Sequence, residues 1–215
     1  ADEPDWNARG GPERADGTDF QTLMSLLTRA RGELDRLYWP AALVEAQLLY
    51  DKDERGRASE ALQDVLTLNP ACAEAWRLVG ELSVDGFQFD RAEAIAHRLD
   101  ALASHELPWW TGDGAPVPEA GEASLLGTLV IARARVRQDE PTSGIELANT
   151  VLDRLPTQPD TLAALAALHA ANYDFDAMHA TLDRLDGLSP GTELGHLQAG
   201  WALSDRRQYG PSAER

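Results

Sequence analysis

Arg133 and Arg137 are four residues apart, so on a helix they project from one face, and two forked guanidiniums at that spacing suit the gripping of a carboxylate. Other chemistry is harder to assemble. Five histidines are present, His97, His105, His169, His179 and His196, but no H-E-x-x-H; His105-Glu106 runs on into Leu, Pro and Trp rather than to a second ligand. There is no phosphate-cradling G-x-x-x-x-G-K-S/T and no G-x-S-x-G. Asp85, Asp90, Asp174 and Asp176 lack the dense alternation of a calcium loop, and Asp is favoured at helix starts, so they read as caps and turn residues. Cys72 is the only cysteine, which excludes an internal disulfide and a cysteine-built zinc site. The sequence therefore predicts no catalytic residue, no metal and no cofactor, and an enzyme is not expected.

The elements that would position such side chains are helices. Of 215 residues, 43% are hydrophobic, with many Ala and Leu and only 7% aromatic, which fits helical stacking better than a sheet. Nineteen basic residues against 36 acidic ones give a formal charge of −17, which repels nucleic acid and anionic lipid and otherwise serves solubility. No run approaches the ~20 apolar residues of a membrane span. The first residues, Ala-Asp-Glu-Pro-Asp, have no basic and apolar leader, so a signal peptide is absent or removed, and an exported and a cytoplasmic location both stay open.

One stretch, Asn69 to Ala94, organises the rest. It carries Trp76, Val79 and Gly80 as W-x-x-V-G, then Phe89 and Ala92, with Pro70 closing what precedes it. On one face of a first helix, Gly80 would let a second helix approach, and Ala92 would supply the matching small contact. The pattern resembles the tetratricopeptide repeat (TPR) family. That resemblance implies an all-α, right-handed helical-hairpin solenoid of about five TPR-like units, and a scaffold rather than a catalyst.

The register supports it internally. Aligning Ala46 with Gly80 requires a step of 34 residues, the period of the family. Ala132 follows Gly80 by 52, one period plus an insertion of 18, and Ala166 follows Ala132 by 34. The turn Asn172 to Asp176 (N-Y-D-F-D) echoes Gly86 to Asp90 (G-F-Q-F-D), which indicates duplication. The predicted layout is a mobile lead-in over 1–17, with Trp6 as a local anchor, and a capping helix over 18–37. Units follow at 39–70, 73–104, 125–156 and 159–190, with a partial unit at 193–215. Gly200 and Tyr209 are placed in that fifth unit, which would stop inside its second helix. An end of that kind implies a longer protein or another molecule as cover. The Pro- and Gly-rich stretch 107–124 is an insert loop whose Trp109 and Trp110 either pin it to the helices or contact a ligand.

In the family the ligand lies on the concave face lined by each first helix. Carried over by register, the candidate groove here holds Gln47 and Tyr50, then Arg77 and Glu81, then Arg133 and Arg137, and lastly Trp201. Family members that clamp chaperone tails use Lys, Asn and Arg at set places; Leu43 and Gln47 stand at the first two, against that specificity. Glu81 and Asp85 share the register places of Arg133 and Arg137, so the two pairs either face each other as salt bridges between units or leave the arginines to a partner's carboxylate. The expected function is a protein- or peptide-binding scaffold. The alternatives are the non-catalytic amino-terminal half of an exported enzyme with a peptidase-like domain beyond residue 215, and a self-associating spacer.

Overall fold

A computed structural model describes residues 17–103, 122–190 and 193–209, and among these every regular element is a helix. In chain order they are α1 (Gly17–Arg29), α2 (Trp39–Asp51), α3 (Arg55–Leu68), α4 (Ala73–Asp85), α5 (Phe89–Ala103), α6 (Glu122–Arg137), α7 (Pro141–Arg154), α8 (Pro159–Ala171), α9 (Phe175–Leu188) and α10 (Leu194–Tyr209). A single wider, π-type turn, Ala30–Leu34, follows α1 and closes with Asp35 N–H donating to the Ala30 carbonyl at 3.0 Å. Trp6, Trp109 and Trp110 lie outside the described residues, as do the lead-in over 1–16 and most of the insert. None of the described helices is long and apolar enough to cross a membrane.

The turns show why these are hairpins and why they repeat. Among the described residues four non-glycine residues adopt positive φ: Asp53 (59°), Phe87 (56°), Asp139 (64°) and Tyr173 (59°). Each stands just past a first helix, where a left-handed residue ends the helix in a Schellman turn. The next residue's N–H reaches back five positions: Glu54 to Leu49 at 2.9 Å, Gln88 to Ser83 at 2.8 Å, Glu140 to Arg135 at 3.0 Å and Asp174 to His169 at 3.0 Å. These left-handed residues are 34, 52 and 34 positions apart, the same steps found from the small residues. Second helices end differently. Asn69, Leu155 and Ser189 leave the helical region, at φ −135°, −126° and −136° with ψ 83°, 71° and 73°, and each precedes a proline, which disfavours helical backbone before it. Prolines then reappear in the first turns of α2, α7 and α8, where the missing N–H costs nothing.

The chain divides into two compact units, residues 1–70 and 71–215. In the first, α2 packs on α3, and α1 and the π turn pack on α2. Arg31, on the π turn, reaches Glu45 at 2.6 Å and also Asp64, which ties the turn to α2 and α3. Those two carboxylates raise the Arg31 pKa against the opposing effect of partial burial. In the second unit every first helix packs on its own second helix and on the first helix of the next hairpin: α4 on α5 and α6, α6 on α7 and α8, α8 on α9 and α10.

Small residues set these approaches. Ala132 and Ala166 are fully buried, and so is Gly80. A Cβ on Gly80 would lie 2.9 Å from both methyls of Val130 on α6 and 3.3 Å from Ile95 Cγ2 on α5. The glycine is thus a notch for the next unit as well as for its own second helix. In the third hairpin Gly144 takes the place of Ala92, and a Cβ there would overlap Leu168 Cδ2 and meet Arg135 Cβ at 3.0 Å.

Two expectations need correction. Helix α6 begins at Glu122, three residues before Leu125. More consequentially, α10 continues unbroken through Tyr209, so the fifth unit has no turn where one period from Tyr173 would place it. Gly200 is exposed with nothing within 4 Å of an added Cβ.

Candidate binding face

In the second unit the successive first helices α4, α6, α8 and α10 form one continuous face. One register place recurs five times along the chain, at Gln47, Glu81, Arg133, Ala167 and Trp201, and the place one turn earlier at Leu43, Arg77, Leu129, Ala163 and Leu197. Gln47 and Tyr50 lie half-buried on α2, in the first unit, and the face built by 71–215 is made by the other residues.

Its α4–α6 end is an ion-pair network. Glu81 is 2% exposed and accepts from two arginines, Arg77 beside it and Arg133 Nη1 at 2.5 Å. Arg77, 6% exposed, also holds both Glu74 oxygens at 3.0 Å through Nε and lies 3.6 Å from Asp160 at the start of α8. Burial pulls the Arg77 pKa down, but Glu81, Glu74 and Asp160 outweigh it and hold the guanidinium well above its ordinary value. Arg137 Nη2 lies 4.0 Å from Asp85 Oδ1, its Nη1 pairs with Asp205 on α10, and its guanidinium sits 5.3 Å above the Phe87 ring. Register places Arg133 opposite Glu81 and Arg137 opposite Asp85, and the structure brings both pairs together across the α4–α6 contact.

The α8–α10 end is apolar. Ala163, Ala167 and Ala170 are buried at 0%, 5% and 0% exposure, and α10 settles onto them. A Cβ on Gly195 would come to 2.5 Å from Leu185 Cδ2 and 2.9 Å from Leu182 Cδ2, so the glycine makes room for two α9 side chains, while the Ala163 Cα stands at an ordinary contact distance of 3.9 Å. The outward side of α10 then carries Leu197, 47% exposed, and Trp201, 52% exposed, one turn apart.

Glu74, Asp160 and Asp205 were not among the residues singled out in the sequence. Asp205 occupies the register place of Asp85 and Arg137, but its contact joins α6 to α10 across a whole hairpin, as that of Asp160 joins α8 to α4, so period alone pairs neither of them. Among the described residues no group of three or more His, Cys, Asp or Glu side chains is arranged to hold a metal ion. His97, His179 and His196 lie on exposed surfaces, and burial lowers the pKa of His169 although Asp174 opposes it. Cys72 is buried, and burial pushes its thiol pKa up, away from the reactive thiolate.

No protein-family model matches the chain, and no curated protein matches it. Among solved structures it is similar to YrrB, a TPR protein with an unusual peptide-binding site, at 14% identity and a TM-score of 0.42, over 86% of this chain and 85% of that one. It is also similar to the TPR domain of P58(IPK), at 14% identity and a TM-score of 0.35, over 93% of this chain and 64% of that one. The TPR-like hairpin repeat stands on the chain's own register, turns and helix pairing.

Proposed function

We propose that the chain is a non-catalytic scaffold that binds a protein or peptide segment on the face lined by its first helices, with Trp201 and Leu197 as the apolar anchor. The observation that carries this is the contrast within one register place: Glu81 and Ala167 are buried at 2% and 5%, while Trp201 stands 52% exposed. A half-exposed Trp beside a half-exposed Leu is apolar surface of the kind that binding sites use, and Trp is prominent among residues that dominate binding energy. Arg77, Arg133 and Arg137, already engaged by carboxylates of this chain, act as ties that hold the face together. Peptide binding by the YrrB protein is in keeping with such a role.

The test is a peptide selected from a random display library against the whole chain, then measured by calorimetry against variants. Trp201→Ala is expected to weaken binding about 30-fold, the scale of a hot-spot residue, with the melting temperature nearly unchanged. Equal affinity for Trp201→Ala and the parent would reject the anchor. The same exposed side of α10 favours one second reading, self-association. In that case the apparent mass of the parent rises with concentration and that of Trp201→Ala does not.

A further inference from the structure

On the first-helix face the two signs of charge lie at different depths. The guanidiniums of Arg77, Arg133 and Arg137 are the inner groups, their side chains 7%, 11% and 20% exposed. The carboxylates of Glu74, Asp160 and Asp205 are the outer ones, each side chain 33% exposed. With Glu81 and Asp85 the network holds five carboxylates against three arginines, so among the described side chains it is net negative. A carboxylate that accepts from one guanidinium keeps acceptor capacity, because its two oxygens offer about four lone-pair sites, whereas a guanidinium only donates. What this face turns outward is therefore acceptor oxygen.

The apolar anchor sits within the same pattern. On α10, Leu197, Trp201 and Asp205 follow one another at four-residue steps and so share a face. One turn before Leu197 stands Glu193, which is exposed and whose carbonyl accepts the Leu197 N–H at 2.9 Å, so the helical spacing runs back to it. The row reads Glu193, Leu197, Trp201, Asp205: two half-exposed apolar side chains between two carboxylates, about 18 Å from end to end at 1.5 Å per residue. Apolar surface by itself accepts many partners, and flanking charge selects among them, since like charges set side by side oppose docking. A cation arriving at either end gains charge-assisted hydrogen bonds to carboxylate oxygen, while its aliphatic stem covers the neighbouring apolar side chain.

We infer that the segment docking on this row is cationic: an apolar side chain packs on Trp201 and Leu197, and Arg or Lys on both sides of it pairs with Glu193 and Asp205. The inference rests on the Trp201 anchor proposed above and adds the sign of the partner's charge. It is the opposite of a partner that brings a carboxylate to the arginines.

The test screens the whole chain against three display libraries that share a central apolar position and differ in its flanks, Arg and Lys in the first, Asp and Glu in the second, Ser and Asn in the third. Binders are expected from the basic library, with an affinity that falls as salt is added. The tightest of them is then measured by calorimetry. Glu193→Gln should weaken it about two- to fivefold, and Glu193→Gln/Asp205→Asn about three- to tenfold, the scale of exposed charge pairs. Because Glu193 is exposed, its single variant should melt with the parent and give a clear answer even if loss of the Asp205 pair with Arg137 loosens α10. The control Glu93→Gln/Glu146→Gln makes the same change of charge at exposed second-helix positions and should keep the affinity within about twofold. Binders from the acidic or neutral library that lose affinity in Trp201→Ala would overturn the inference and leave the anchor standing. Basic binders indifferent to Trp201→Ala would reject the anchor and the inference with it. An equal loss in the control variant would assign the preference to the chain's overall charge, and a parent mass that rises with concentration unless Trp201 is removed would seat a second copy on the row; either result overturns the inference.

Discussion

The two ends of the first-helix face solve one packing problem with opposite materials. Where α4 meets α6, the side chains are long and charged: Arg77, Glu81 and Arg133 fill the space, and Glu81 is desolvated between two guanidiniums. Where α8 meets α10, buried alanines line the contact, and no charge is needed. Buried ion pairs cost desolvation and return it only when every partner is in place, so the α4–α6 end is stiff but intolerant. The alanine end is tolerant, and its unsatisfied surface is displaced outward to Trp201. Register assigns equivalent positions to both ends; side-chain size decides which becomes a tie and which an open surface.

The largest effect should come from removing the shared acceptor. Glu81→Ala leaves two buried guanidiniums with one partner fewer each and is expected to cost about 3–5 kcal/mol, read as a loss of urea stability at unchanged slope. A loss under about 1 kcal/mol would mean that water reaches the network. Arg133→Ala should cost less, about 2 kcal/mol, since Glu81 keeps Arg77. Between the two ends, where α7 packs on α6 and α8, Gly144→Ala pits a helix-propensity gain of about 1 kcal/mol against overlap with Leu168 and Arg135, for a net loss of about 1–2 kcal/mol. A stabilised Gly144→Ala would show that Leu168 moves aside freely.

Smallest is a pH effect confined to the alanine end. His169 has its pKa lowered chiefly by burial, so the unfolded chain takes up a proton more readily than the folded one. Its contribution is fully present above the ordinary histidine value of about 6.5 and is lost as pH falls through the lower folded value. His169→Gln should therefore flatten a shallow fall in stability below about pH 6.5. An identical pH profile for the variant would assign that fall to other groups.

The repeat was legible because its determinants are local. Pro70, Pro156 and Pro190 end second helices, and the small residues at 46, 80, 132 and 166 set the step, all within one period. Facing of the adjacent pairs Glu81 and Arg133, and Asp85 and Arg137, was legible for the same reason, since equivalent places on neighbouring first helices meet. Contacts that skip a hairpin were not. Arg77 to Asp160 and Arg137 to Asp205 depend on how tightly successive hairpins turn, which is set by side-chain volume across several helices rather than by period. The left-handed aromatics were hidden for another reason: Gly86, the residue best suited to a left-handed turn, stays at φ −85°, and helix length passes the strained position to Phe87.

One measurement bears most directly on the division between ties and anchor. Affinity for a display-selected peptide and melting temperature are recorded together for Trp201→Ala and for the double variant Arg133→Ala/Arg137→Ala. A crossed pattern is predicted: Trp201→Ala loses binding at an unchanged melting temperature, and the arginine variant melts several degrees lower with affinity intact. The reverse pattern, with arginine loss weakening binding in a salt-dependent way at full stability and Trp201 loss doing nothing, would contradict the assignment and make the arginines the ligand's carboxylate grip.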